Sequence, residues 1–145
     1  MLDGFALTDP LIIKVPGRPF SLNAERTKHW SDRADRTAQL RHDAKYCALE
    51  VMPSRPKPAL FEQVRIIVEP WAIDRRYRQD VGACLPSAKA AIDGLVDAGV
   101  IADDDDSHLL ELAFRPHQFG VDQIVLTVIE VEGGEAMTNT LDDVA

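Results

Sequence analysis

The sequence predicts a single small α/β (α+β) domain in which a mixed β-sheet is packed by two main helices. Three observations carry that expectation. The chain has 145 residues, a length that suits one compact core. Its apolar pattern changes period, alternating near residues 62–69 and taking helical spacing near 31–52 and 86–99. The resulting order of elements is strand, helix, strand, helix, strand, strand, with no internal repeat.

The run LIIKV (11–15) reads as a short strand, ended by Pro16-Gly17. Residues 17–30 read as a loop that carries Arg18, Asn23, Arg26, Lys28, His29 and Trp30. Ser31 fits the N-cap of a helix running to about Met52, with Thr37, Leu40, Ala44, Cys47, Ala48 and Val51 as its apolar stripe. Arg33 and Arg36 continue that stripe toward the helix start, where their charges face whatever lies beside the core. The proline-rich PSRPKP (53–58) is too short for a domain linker. Residues 62–69 alternate with Val64, Ile66 and Val68 on one face, so they form a strand. Beyond it the chain turns basic at Arg75, Arg76 and Arg78.

A second helix is expected from Pro86, a residue favoured at the first helical position, to about Gly99. Its core stripe is Leu85, Ala88, Ile92, Leu95, Val96 and Gly99, while Lys89, Asp93 and Asp97 step by four along one shoulder. Two further strands are expected at 108–114 and 123–131. The last is almost continuously apolar, as for a central strand buried on both faces. The domain is thus assigned to residues 1–132, and 133–145 form an acidic, glycine-led tail expected to be mobile.

Composition excludes several classes. No apolar run reaches the roughly 20 residues that span a bilayer, and MLDGFALTDP is not a secretory signal, so no membrane role and a cytoplasmic location are expected. Cys47 and Cys84 make neither a metal spacing nor a disulfide framework and read as small core fillers. The net charge of −8 is unevenly spread. Residues 11–78 hold 14 Lys/Arg against 8 Asp/Glu, whereas residues 79–145 hold 2 against 14. A basic half beside an acidic half suits a polyanion on one surface and metal ions on the other; an uneven solvated surface is the plainer reading.

The most informative stretch runs from Asp80 to Asp106. Asp80 ends the basic run, Lys89 follows nine residues later, and Asp103-Asp104-Asp105-Asp106 follow the helix. Carboxylates gathered together repel one another unless a cation joins them, and oxygen-only ligands favour a hard ion, Mg²⁺ or Mn²⁺. Such an ion polarises a phosphate and supplies hydroxide, and a neighbouring lysine neutralises charge that develops on the phosphate. The competing readings are a solvated aspartate turn and a surface Lys89–Asp93 helix pair. An EF-hand is excluded, because the glycine and terminal glutamate are missing at the required spacing.

Over residues 11–131 the chain resembles the RusA family of crossover junction endodeoxyribonucleases (Holliday-junction resolvases). PGRPFSLNAERTKHW resembles the family's proline-rich, asparagine-containing opening. RRYRQD followed by KAAIDGLVDAGVIADDD resembles its central signature, an arginine run, an aspartate, a lysine, Asp-x-Leu and a post-helix Asp-Asp pair. The resemblance implies a homodimeric, Mg²⁺-dependent endonuclease for four-way DNA junctions, with no organic cofactor. By matching position, Asp80 and Asp104 are implied as catalytic metal ligands, Asp103 as a neighbouring ligand, Lys89 as the catalytic lysine and Asp93 as a support. DNA contacts are expected from Arg18, Asn23, Arg26, Lys28, His29, Trp30, Arg33, Arg75, Arg76 and Arg78.

Two departures stand out. The common Asp-x-Asp-Asn-x-x-Lys signature is three residues longer here and lacks its second aspartate. A longer variant, Asp-x-x-Asn-x-x-Pro-x-x-Lys, fits except that Ala83 replaces the asparagine. The metal site then has fewer protein ligands or takes one from Asp105 or Asp106. A junction-binding protein that lost catalysis and an acidic interaction domain without a DNA role are the alternatives.

Overall fold

The computed structural model describes residues 9–17, 19, 30–53, 59–76 and 79–131, with Trp30 described in its backbone alone. The expected DNA contacts Arg18, Asn23, Arg26, Lys28, His29 and Arg78, the Trp30 side chain and the tail from Gly133 therefore lie outside the described residues.

The elements follow the expected order with one short strand, β4, added: β1 (Leu11–Pro16), α1 (Trp30–Val51), β2 (Val64–Ala72), α2 (Leu85–Ala98), β3 (Leu109–Phe114), β4 (Gln118–Phe119) and β5 (Gln123–Glu130). They build one mixed five-stranded sheet in the order β1-β5-β2-β3, with β4 also paired to β2. β5 runs antiparallel to both β1 and β2, whereas β3 and β4 run parallel to β2. The fold class is thus as the sequence predicts, a single small domain of mixed sheet and two helices.

Period-2 patterning sets the buried face. Leu11, Ile13 and Val15 of β1, Val64, Ile66 and Val68 of β2, and Ile124, Leu126 and Val128 of β5 are all buried in one cluster. Ala44 and Ala48 of α1, Ala88, Ala91, Ile92, Leu95 and Ala98 of α2, and the loop residues Phe61, Cys84, Val100 and Ile101 complete it. Each fully buried Ile or Leu contributes about 1.5–3 kcal/mol of transfer free energy, so this cluster carries most of the stability.

The pairing between β2 and its parallel neighbour breaks at one place. Val68 pairs with Phe114 and Trp71 with Gln118, so β3 gives way to β4 opposite Pro70. Proline has no N–H to donate to a ladder, and the break falls where that donor is missing.

Some expected boundaries and stripes need correction. Ser31 is the second residue of α1 and not its cap. Val51 is 46% exposed and Leu85 37% exposed, so neither belongs to the buried stripe of its helix. β2 extends three residues beyond Glu69. α2 ends as a Schellman motif: Gly99 sits at φ 89°, its N–H donates to the Val96 carbonyl, and the Val100 N–H donates to Leu95.

α1 and α2 touch closely. Gly94 faces α1, where an added Cβ would lie 2.3 Å from the Arg41 carbonyl oxygen and 2.9 Å from the Lys45 amide nitrogen. One turn further along α2, Asp97 takes a two-pronged bond from Arg41, at 2.6 and 2.9 Å. The Arg41 hydrogen bond, helped by the charges of Arg41 and Lys45, holds the Asp97 carboxyl below the usual carboxylate range. A depressed folded pKa stabilises the fold above the unfolded value of about 3.9, and that contribution is lost as pH falls through the folded value. Asp97→Asn is accordingly expected to flatten, without abolishing, the fall of melting temperature below about pH 4. An unchanged acid limb would show that this pair contributes nothing to the pH dependence.

Both cysteines are free, Cys84 buried and Cys47 half-buried. Burial pushes the Cys84 thiol up to about 11 and raises Cys47 as well, so neither is a thiolate near neutral pH. This fits their reading as core fillers.

Candidate functional site

Two loops bracket α2. The first leaves the end of β2 and is pinned early, where the Ile73 N–H donates to Asp122 Oδ1 at 2.9 Å. It closes in a turn: the Ala83 N–H donates to the Asp80 carbonyl at 3.0 Å and the Leu85 N–H to the Gly82 carbonyl at 3.1 Å. Gly82 holds φ +88° here, a conformation that side-chain-bearing residues rarely adopt. The turn leads straight into α2, with Pro86 in its first turn. The Asp80 side chain is exposed at the head of this turn and makes no hydrogen bond or ion pair among the described residues.

Lys89 is the fifth residue of α2, exposed between the buried Ala88 and Ala90. Its Nζ donates to Asp104 Oδ2 at 3.1 Å. The sequence left open a Lys89–Asp93 surface pair; the lysine instead reaches fifteen residues onward to the post-helix loop. That hydrogen bond is the main reason the Asp104 carboxyl titrates below the usual carboxylate range. The Asp104 side chain is 24% exposed, so its second oxygen remains near solvent.

The acidic loop has an internal scaffold. Asp103 Oδ1 accepts the Asp104 N–H at 2.8 Å. Asp105 Oδ1 accepts from the Ser107 N–H at 3.1 Å and the Ser107 hydroxyl at 2.8 Å, and His108 Nδ1 lies 2.6 Å away. His108 first, then Ser107, lowers the Asp105 pKa. The loop is tied to β2, since Gln63 Nε2 donates to the Ser107 carbonyl and the Val64 N–H to His108. Asp105 is thus engaged in shaping the loop, while Asp103 and Asp106 are exposed.

These contacts link Lys89 to Asp104 and Asp104 to Asp103, and no contact among the described residues joins Asp80 to them. Among the described residues no group of three His, Cys, Asp or Glu side chains gathers to hold a metal, so Asp80, Asp103 and Asp104 do not form a closed carboxylate cage. Mg²⁺ is commonly held by one or two carboxylates, with water and substrate phosphate filling its other positions. Asp104, with one oxygen on Lys89, and the adjacent Asp103 present such carboxylates on the post-helix loop.

No protein-family model matches the chain, and a comparison with curated proteins finds no match. The likeness to RusA enzymes therefore stands on the motif residues and their spacing. Among the described residues no helix is long and apolar enough to cross a membrane.

The remaining expected DNA contacts divide. Arg33 is half-buried on the first turn of α1. Arg75 and Arg76 are exposed on the loop after β2, and Arg76 lies against Asp74 at 3.2 Å. Sequence reading missed their surroundings. The Arg75 guanidinium sits 5.6 Å from the centre of the Phe119 ring, and His117 meets that ring edge-on at 5.0 Å. The signal was the spacing of His117 and Phe119, two residues apart and hence on one face of an extended strand.

Proposed function

We propose that this protein is a Mg²⁺- or Mn²⁺-dependent endodeoxyribonuclease that cuts four-way junctions and related branched DNA, acting as a homodimer. The observation that carries the reading is the Lys89–Asp104 contact at 3.1 Å. It joins two residues that the family motif places at separate points of the chain, one on a helix and one on the loop after it.

In this reading Asp80 and Asp104 would hold the ion, with Asp103 next to Asp104. Such an ion, when bound, would supply Lewis acidity toward the scissile phosphate and lower the pKa of water. Lys89 stands where it can neutralise charge developing on the phosphate oxygens, while its bond to Asp104 keeps the ammonium in place. Exposed Arg75 and Arg76 lie on the loop leading to Asp80, in position to engage DNA next to the cut. Two copies related by a two-fold axis present two sites to opposing strands, as paired nicking of a symmetric junction requires.

Asp80→Asn and Lys89→Ala are each expected to abolish cleavage of a synthetic four-way junction while leaving binding largely intact, read by strand-resolved gels and by mobility shift. Wild-type cleavage rates in both variants refute the assignment.

A second reading is a junction-binding protein without catalysis. It is favoured by Ala83 in place of the motif asparagine and by the open carboxylate set among the described residues. Binding without metal-dependent nicking, and nicking gained in Ala83→Asn, would select it.

A further inference from the structure

The end of the sheet beside β4 carries a feature that the metal-centred reading does not use. β4 is only two residues long, yet it is fixed: Trp71 and Ala72 pair with Gln118 and Phe119, and the Gly120 N–H donates to the Ala72 carbonyl at 3.1 Å. Phe119 is therefore held by the sheet, and His117 braces its ring at 90°. Three residues past Ala72, the exposed Arg75 lays its guanidinium over that ring. Its neighbour Arg76, 91% exposed, lies against Asp74.

A guanidinium laid on a ring has its plane fixed by the packing beneath it and can take a second flat group on its outer side. Flat, uncharged and unpaired nucleobases are the groups that stack on such surfaces, whereas bases inside a duplex are already stacked. The geometry points to Arg75, over the Phe119 ring that His117 braces, as a stacking platform for an unpaired base of the DNA substrate. This rests on the DNA reading above and adds a substrate class to it: DNA with unpaired or opened bases near the cut. Arg76, and Arg115 exposed just beyond β3, supply positive charge at the same end of the sheet.

Charge and stacking separate cleanly in Arg75→Lys, which keeps the cation and removes the plane. Phe119→Leu keeps apolar bulk and removes the ring, with melting temperature as the check on folding. Three fluorescent probes are compared by anisotropy in EDTA: a continuous duplex, the same duplex with a single-stranded thymidine gap, and a four-way junction. Both variants are expected to bind the gapped duplex and the junction about tenfold more weakly, with a clearly smaller loss on the continuous duplex and an unchanged salt slope. Wild-type affinity of Arg75→Lys for all three probes overturns the platform while leaving the DNA reading standing. Equal losses on duplex and gapped probes also overturn it, since those identify a backbone contact. Absence of wild-type binding to any probe overturns both readings together.

Discussion

Gly94→Ala should lower the melting temperature by roughly 6–12 °C, taking a cost near 3 kcal/mol and 2–4 °C per kcal/mol at this size. In an ordinary exposed helix this substitution stabilises, by about 0.5–1 kcal/mol, because glycine loses more backbone freedom on folding. Here the new methyl meets the Arg41 carbonyl oxygen at 2.3 Å, the Ala44 Cβ at 2.8 Å and the Lys45 nitrogen at 2.9 Å. Two of those atoms are backbone of α1, so no side chain can rotate out of the way. The helices must separate, and separation also opens the buried layer of Ala44, Ala48, Ala88 and Ala91. The overpacking cost exceeds the gain in helix propensity. A melting temperature equal to or above that of the wild type would show that α1 and α2 do not approach as described.

Asp104→Asn should reduce junction cleavage by roughly 10²–10³-fold, the scale on which a single preorganised electrostatic contact at the reacting phosphate acts. The change removes the proposed metal ligand and the carboxylate that holds Lys89. Its effect on stability is expected to be small, because the pair is half-exposed: Lys89 is 54% exposed, and pairs in such settings contribute at most about 1 kcal/mol. A melting temperature within about 4 °C of the wild type, beside a large loss of rate, separates a functional pair from a structural one. Loss of both together would make Lys89–Asp104 a strut of the loop. Little change in cleavage, with folding intact, would remove Asp104 from the site.

The strands and the sheet were legible because alternation reports directly on a half-buried sheet, as in Val64, Ile66 and Val68. β5 also read correctly as a central strand, since Ile124, Val125, Leu126 and Val128 are all buried. β4 was not legible. Two residues carry no period, and their strand geometry comes from register against Trp71 and Ala72. The stripe assigned to α2 was too narrow, because Ala90, Ala91 and Ala98 are buried by close helix packing that small residues permit and hydrophobicity does not announce.

At the site, spacing alone left Lys89 with Asp93 as its nearest candidate partner. The resemblance pointed to the post-helix aspartates as site residues, and Lys89 contacts one of them, Asp104. The Arg41–Asp97 bond spans 56 residues and joins two helices, so no local pattern announced it. Likewise the basic run at Arg75, Arg76 and Arg78 read as phosphate contacts, and the approach of Phe119 to Arg75 comes only from tertiary placement.

The most direct measurement is strand-resolved cleavage of an end-labelled four-way junction by the purified protein, with Mg²⁺, with Mn²⁺ and with EDTA. Paired nicks on opposing strands should appear with either metal, vanish in EDTA and vanish in Lys89→Ala. A junction that stays intact under all three conditions while the protein binds it, or nicks that persist undiminished in Lys89→Ala, would contradict a metal-dependent nuclease built on Asp80, Lys89 and Asp104.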